Sequence, residues 1–224
     1  MLPDRVDEST RSSAERQLFN WLAQIDGQDW SFALHSLNLS QHRWKVVSEI
    51  DFLLVGRRGL FVLEIKGGRV SCSKGVWEFT DRFGEVHKRR QSPFKQAESA
   101  MFSLRARLEE MLPSGLPRTT FGYGVVFPDI EFSSESVEWD EAMVIDSTQL
   151  GRPDGLRRSL GRLTSYWRSK PGRPRNELTD SQIEEILGCL RPDFDTVLSL
   201  QGLSQNIERE IVRLTQGQYR ALDA

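Results

Sequence analysis

Four charged residues interrupt the most apolar part of this chain. Glu49 and Asp51 lie in the run SEIDFLLV, and Glu64 and Lys66 lie in the run LFVLEIK. Charged side chains are rarely buried unless they are paired or bind a ligand. These four residues are therefore the first candidates for a functional site.

The two apolar runs predict a β-hairpin that is closed by the loop Gly56–Gly59. If the loop closes symmetrically, Asp51 lies opposite Glu64, and Glu49 lies opposite Lys66. Directly opposed carboxylates, roughly 4.5 to 5.5 Å apart at Cβ, repel each other. A divalent cation between them would convert the repulsion into attraction, and hard oxygen ligands suit Mg²⁺ or Mn²⁺.

This set of residues could hydrolyse a phosphodiester. A cation held by Asp51, Glu64 and the carbonyl of Ile65 would polarise a phosphate oxygen and lower the pKa of a bound water. Lys66 would orient that water and stabilise the developing negative charge. Neither histidine nor cysteine is required.

The alternative is a structural role, with Glu49 and Lys66 forming a salt bridge on a solvated face of the sheet. This explanation suits Glu49. It suits Glu64 poorly, because the residues around Glu64 are apolar on both faces, as in a central strand.

The periodicity of the surrounding sequence predicts the elements that position these residues. Apolar spacing predicts helices over 9–25 and 92–112 and strands over 32–39, 121–127 and 142–145, with 69–72 and 76–79 extending the sheet. This order predicts an α/β fold, a mixed sheet flanked by helices. We place the functional domain at 1–150 and a basic helical extension at 151–224, with helices near 156–167, 179–190 and 205–223.

Charge is segregated along the 224 residues, although the net charge is only -2. Seven acidic and no basic residues lie between 129 and 146, whereas 152–175 holds eight Lys or Arg. The latter region and the run from His87 to Arg90 predict local contacts with nucleic acid, Lys88, Arg89 and Arg90 binding phosphates without reading sequence. A solvated loop explains the shorter run equally well.

Composition excludes several other classes. The two cysteines have no partner motif and the three histidines lack metal-ligand spacing, so neither a zinc site nor a disulfide framework is expected. Neither a leader sequence nor a membrane span is apparent. We expect a cytoplasmic protein.

The hairpin sequence EIDFLLVGRRGLFVLEIKGG resembles the nuclease-related domain (NERD) family of the PD-(D/E)XK nuclease superfamily. The resemblance extends to Glu15 in the first helix, to the Gly-Trp step at 75–77 and to the P-x-x-Q motif at 93–96. It covers about 9–147.

The resemblance implies a restriction-endonuclease-like core and cleavage of DNA with Mg²⁺ or Mn²⁺. Asp51 and Glu64 correspond to the metal ligands, and Lys66 to the catalytic lysine. The resemblance also implies that Glu15 contributes to the metal site and that Gln96 lies near the lysine.

Glu15 and Gln96 have ordinary explanations too. Ser12 and Glu15 fit a capping box, in which the glutamate only satisfies backbone donors. Gln96 lies in the first turn of its helix, where polar residues are common. The chain also has Gly67 and Gly68 where the family often has an asparagine and an aromatic residue, which leaves this edge of the site open.

The segment LTQGQYRALD (214–223) resembles the opening L-T-x-x-Q motif of UvrD-like superfamily one helicases, with Gln218 at the adenine-reading position. An ordinary amphipathic helix is the alternative. Because NERD domains occur fused to helicases, we expect a DNA nuclease module from a nuclease-helicase fusion, in DNA processing or anti-phage defence, with the motor lying beyond Ala224. A non-catalytic nucleic-acid-binding module that docks the helicase, and a hydrolase with another substrate, are the alternatives.

Overall fold

The computed structural model describes residues 1–6, 12–25, 30–39, 48–81 and 83–192. Its strands are β1 Phe32–Leu39, β2 Ser48–Gly56, β3 Gly59–Ile65, β4 Arg69–Ser73, β5 Val76–Thr80, β6 Val86–Arg89, β7 Phe121–Phe127 and β8 Val144–Asp146. Its helices are α1 Ser13–Gln24, α2 Pro93–Met111, α3 Ser147–Leu150, α4 Gly155–Ser169 and α5 Asp180–Leu190, with a 3₁₀ turn at Glu141–Met143.

A mixed five-stranded sheet with the order β1-β2-β3-β7-β8 forms the centre of the fold. The first three strands are antiparallel, while β7 runs parallel to both β3 and β8. Every residue of β3 is buried, because this strand has a neighbour on each side and helices cover the sheet. The predicted α/β class with a mixed, helix-flanked sheet is confirmed.

The hairpin of β2 and β3 closes with the predicted symmetric register. Val55 pairs with Leu60 and Phe52 with Leu63. Because side chains alternate along a strand, this register decides which charged residues share a face.

Two helices cover opposite faces of the sheet. A Cβ at Gly122 or Gly124 of β7 would contact the α4 side chains Trp167 and Leu163, respectively, so these even-numbered positions face α4. Phe127 points the other way, and its ring centroid lies 6.3 Å from that of Phe94 in α2. Glu64, one of the candidate carboxylates, is in register with Val125 and lies on the α2 face.

The strands β4, β5 and β6 form a separate antiparallel sheet. The prediction that 69–72 and 76–79 extend the main sheet is wrong, because β2 and β7 already occupy both edges of β3. Gly68 turns the chain away with φ +76, a conformation in which a Cβ would lie 2.1 Å from the Thr80 carbonyl oxygen. The last predicted strand begins at Val144, since the residues before it form the 3₁₀ turn.

The described part of the C-terminal extension consists of α4 and α5, close to the predicted helices at 156–167 and 179–190. Helix α4 packs on β7 and α5 packs on α2. The domain boundary at residue 150 stays a prediction. The helix predicted at 205–223 and the helicase-like motif at 214–223 lie outside the described residues. Within the described residues, every helix is too short or too polar to cross a bilayer.

The hairpin turn provides a stability test. Gly59 has φ +135, and a Cβ there would lie 2.2 Å from the Thr120 carbonyl oxygen. Gly59→Ala should therefore lower the free energy of unfolding by about 2 kcal/mol or more, measured by denaturant unfolding. Gly161 in α4 is the matched control, because a Cβ added there would meet nothing within 4 Å. Gly161→Ala should stabilise by up to about 1 kcal/mol. Equal effects at the two glycines would contradict this account.

Candidate active site

Two carboxylates lie at the open end of the hairpin, where β2 begins and β3 ends. Continuing the register by one residue beyond the Phe52–Leu63 pair places Asp51 opposite Glu64. Glu64 is 6% exposed, and its register partner on β7 is Val125, so it points to the α2 face. Asp51 is partly exposed, and its Oδ2 accepts the N–H of Ile65 at 2.8 Å. The predicted pairing of the two acids follows from this extension of the register and stays a prediction.

Lys66 lies beside these carboxylates. Its Nζ donates to Glu64 Oε1 at 2.5 Å and lies 5.7 Å from the ring centroid of Phe79. The predicted salt bridge of Glu49 with Lys66 is not formed, since Lys66 pairs with the buried Glu64. Glu49 is exposed and accepts a hydrogen bond from Ser36 Oγ at 2.9 Å. The lysine prefers the buried carboxylate because charge is least screened there.

Burial disfavours the charged form of both carboxylates. Burial and, second, the nearby Glu64 carboxylate raise the pKa of Asp51 well above its usual value, against the opposing effects of Lys66 and the Ile65 N–H. Burial likewise raises the pKa of Glu64, although Lys66 opposes this shift. A cation between the two carboxylates would favour their charged forms.

Glu15 reaches this region from the first turn of α1. Its backbone N–H donates to Ser12 Oγ at 3.2 Å, so the serine half of the predicted capping box is formed. Its side chain, however, lies 3.3 Å from Nε2 of His35, a residue that is 2% exposed and packs on Phe52. The negative charge of Glu15 contributes to the raised pKa of both Asp51 and Glu64. His35, which no motif in the sequence marks out, therefore holds a carboxylate beside the site.

Gln96 lies in the first turn of α2, on the same face of the sheet. Its Oε1 is buried and has no hydrogen-bond partner among the described residues. A buried acceptor of this kind loses about 1 to 3 kcal/mol unless a ligand or water satisfies it. That Gln96 lies near Lys66 stays a prediction.

A different group of possible metal ligands lies on the loop between β5 and β6 and on the start of β6. Asp81, Glu85 and His87 place ligand atoms within 4.8 Å of one another, whereas no second group of three side chains does so in the described part of the chain. Asp81 Oδ1 already accepts the N–H groups of Phe83 and Glu85. In the sequence, this group appears as the spacing D-x-x-x-E-x-H. It is not evident from the spacing of the histidines alone, because two of the three ligands are carboxylates.

The predicted phosphate contacts lie on and just after an exposed edge strand. Every residue of β6 is exposed, including Lys88 and Arg89, so these two lie on a solvated strand and not on a loop. Lys88 pairs with Glu78 at 2.6 Å. Arg90 follows the strand and lines a pocket beside α2. Their binding of nucleic acid stays a prediction.

The basic segment 152–175 holds two neighbouring aromatic residues, Tyr166 and Trp167, which could either stack on bases or pack against the protein. Trp167 is 7% exposed, and its Nε1 donates to the Tyr123 carbonyl at 2.8 Å. Tyr166 lies under Lys170, whose Nζ is 4.0 Å from the ring centroid. For Trp167, the structure favours the packing role over base stacking.

Comparison with known protein families matches residues 10–128, more than half of the chain, to the nuclease-related domain. This range contains the hairpin, the carboxylates of Asp51 and Glu64, the lysine and α2. Neither the curated proteins nor the solved structures contain a significant match.

Proposed function

The chain belongs to the nuclease-related domain family, and from this premise we propose that it hydrolyses DNA phosphodiester bonds with Mg²⁺ or Mn²⁺. The observation that carries the proposal is the pair Asp51 and Glu64, two acids in register on neighbouring strands with Lys66 at 2.5 Å from the second. We further assign the fold to the restriction-endonuclease-like class, supported by the mixed sheet with the hairpin at its centre.

The donor set fits a hard divalent cation. Asp51 and Glu64 offer carboxylate oxygens, the Ile65 carbonyl directly follows Glu64 in sequence, and Glu15 is near enough to affect the pKa of both acids. Bound there, Mg²⁺ or Mn²⁺ supplies Lewis acidity toward a phosphate oxygen and a water molecule. The repulsion between the two carboxylates is the reason why such an ion would be held.

The protein's own residues position the reaction. Lys66 donates to Glu64 in the structure, and its remaining N–H groups are suited to a phosphate oxygen or an attacking water. Phe79 shields one side of the ammonium group and so strengthens its electrostatic effect. Gln96 offers its buried, unsatisfied Oε1 as an acceptor for a water molecule.

An exposed basic strand supports nucleic acid as the substrate. Lys88 and Arg89 lie on β6, and Arg90 follows them. We propose that these residues bind DNA phosphates, which predicts affinity that falls as salt rises.

The proposal is tested by incubating the protein with single-stranded, duplex and plasmid DNA. We expect cleavage with Mn²⁺ or Mg²⁺ and none with EDTA. A protein that binds these substrates but leaves them intact with either metal would instead support a non-catalytic docking module. A protein that neither binds nor cuts DNA would favour a hydrolase with another substrate.

We keep the helicase in cis as a separate proposal, supported by the similarity of LTQGQYRALD to a helicase motif. Its test is the gene sequence downstream of Ala224. A G-x-x-x-x-G-K-[ST] loop in the same reading frame would support the fusion. A stop codon there would refute it.

A further inference from the structure

A pocket of about 550 Å³ opens at the N-terminus of α2. Four aromatic residues line it. Trp77, Phe94 and Tyr123 are at most 7% exposed, whereas Trp139 is partly exposed and presents the accessible ring. Arg90 and Lys95 lie at the same pocket, together with the polar residues Gln91 and Ser92. The volume lies within the usual range for small-ligand sites, and the wall is rich in aromatic rings.

A row of rings connects this pocket to the candidate active site. Phe79 lies 5.7 Å from Lys66 Nζ, and Trp77 is stacked on Phe79 with centroids 6.4 Å apart. Trp77 in turn packs edge-to-face on Trp139, with ring centroids 5.7 Å apart. Phe79 and Trp77 are 9% and 5% exposed, so this row of buried rings fixes the position of the pocket relative to Lys66 and does not itself contact a substrate.

The rings of the pocket are held in place before any ligand binds. Trp139 stacks on the buried Phe94 with centroids 4.8 Å apart and an angle of 11°. Its Nε1 also donates to the Ser134 carbonyl at 2.9 Å. A fixed aromatic surface binds a flat ligand with little loss of side-chain entropy.

The charges of the pocket favour a base over a free phosphate. Lys95 is paired with Glu98 at 2.5 Å, and Glu138 adds a further negative charge to the lining. Arg90 is exposed and, within the described residues, has no ion-pair partner. The pocket thus combines a nearly neutral aromatic interior with one available guanidinium, which suits a nucleobase and the phosphate next to it.

We propose that this pocket binds an unstacked nucleobase of a single-stranded segment of the substrate, with Arg90 on the adjacent phosphate. The choice of nucleic acid rests on the proposed function. Bases in a duplex are stacked on their neighbours and cannot enter without unpairing. The pocket therefore gives the protein a preference for single strands, frayed ends or flaps.

The test measures binding alone, in EDTA, by fluorescence anisotropy. A short single-stranded oligonucleotide is compared with a strand of the same length in which every nucleotide is abasic. The abasic strand keeps its phosphates, so the loss of affinity measures the contribution of the bases to binding. We expect the abasic strand to bind about 5- to 100-fold more weakly, the range for stacking one base on an aromatic side chain.

Variants locate the effect in the pocket. Trp139→Ala should remove most of the difference between the two strands, and Trp139→Phe should retain part of it. Arg90→Ala should weaken both strands by several-fold and reduce the salt dependence by about one phosphate contact. Arg107→Ala is the matched control and should change neither, because Arg107 is a partly exposed residue of α2 that pairs with Glu110. If Trp139→Ala does not fold, Trp139→Phe and the abasic strand still decide the question.

Equal binding of the normal and abasic strands would overturn the proposal. So would a blunt duplex that binds as tightly as the single strand, or a folded Trp139→Ala variant that still distinguishes the two strands. Failure of the nuclease proposal would look different, because it would show as uncut DNA in the presence of metal while base-dependent binding in EDTA remained.

Discussion

Lys66→Met should lower metal-dependent DNA cleavage by roughly 100- to 1,000-fold while leaving the protein folded. The lysine is the cation of the site, and its Nζ is 2.5 Å from the Glu64 carboxylate. Methionine keeps most of the side-chain length but removes the charge and the donors. Initial rates of cleavage of a fluorescent oligonucleotide with Mn²⁺ measure the effect, and binding of the same strand in EDTA shows that the substrate is still held.

Lys74→Met is the matched control, because Lys74 lies on an exposed turn between β4 and β5. Lys74→Met also removes one positive charge, but from a residue that is remote in sequence from the two carboxylates. The cleavage rate should stay within about twofold of wild type, as expected for a solvated surface charge. If Lys66→Met cleaves as fast as Lys74→Met, the lysine has no catalytic role. If both variants lose cleavage and binding together, the charges act through substrate affinity.

The sequence predicted the centre of this molecule well because its local signals agree. Two apolar runs and the GRRG turn between them predicted the hairpin, and the apolar residues on both faces around Glu64 identified a central strand before its neighbours were known. The register then followed from the turn length alone. Strong local patterns of this kind leave few competing arrangements.

The parts that could not be predicted depend on contacts between distant segments. Alternation along the strand puts Glu64 and Lys66 on one face, but the choice of Glu64 over Glu49 as the partner of Lys66 depends on which carboxylate the rest of the fold buries. The contact of Glu15 with His35 joins α1 to β1, and the aromatic pocket needs Trp139 from an acidic loop to lie on Phe94. Such contacts follow from tertiary packing, which sequence spacing does not encode.

Asp51→Asn should make the metal-free protein more stable at neutral pH, although it removes a proposed metal ligand. Burial and the Glu64 carboxylate raise the pKa of Asp51. Between the pKa of the unfolded chain and the raised pKa of the folded protein, the folded state therefore binds more protons than the unfolded state. Stability is consequently greatest below the unfolded pKa and falls as the pH rises through the folded pKa.

Asparagine carries no charge, so the variant should lack this contribution to the pH dependence. Its side-chain oxygen can still accept the N–H of Ile65, the bond that Asp51 makes at 2.8 Å. Thermal unfolding in EDTA at pH 7 should show an increase in Tm of about 2 to 4 °C, the shift that about 1 kcal/mol produces in a chain of this size. At a pH below about 3.9, where an unfolded aspartate is protonated, the difference should shrink.

Mn²⁺ should reverse the order of stability. An ion that binds only the folded state stabilises it by about 2.7 kcal/mol at a concentration of 100 Kd, so wild type should gain several degrees and Asp51→Asn much less. Asp180→Asn is the matched control, since Asp180 pairs with Arg57 on the surface and should respond to Mn²⁺ as wild type does. If Asp51→Asn is less stable than wild type in EDTA, or gains as much from Mn²⁺, then Asp51 is a structural acid, and the hairpin does not hold the ion. The crossing of the two stability orders is diagnostic because a purely structural carboxylate would be destabilised by the substitution with and without metal.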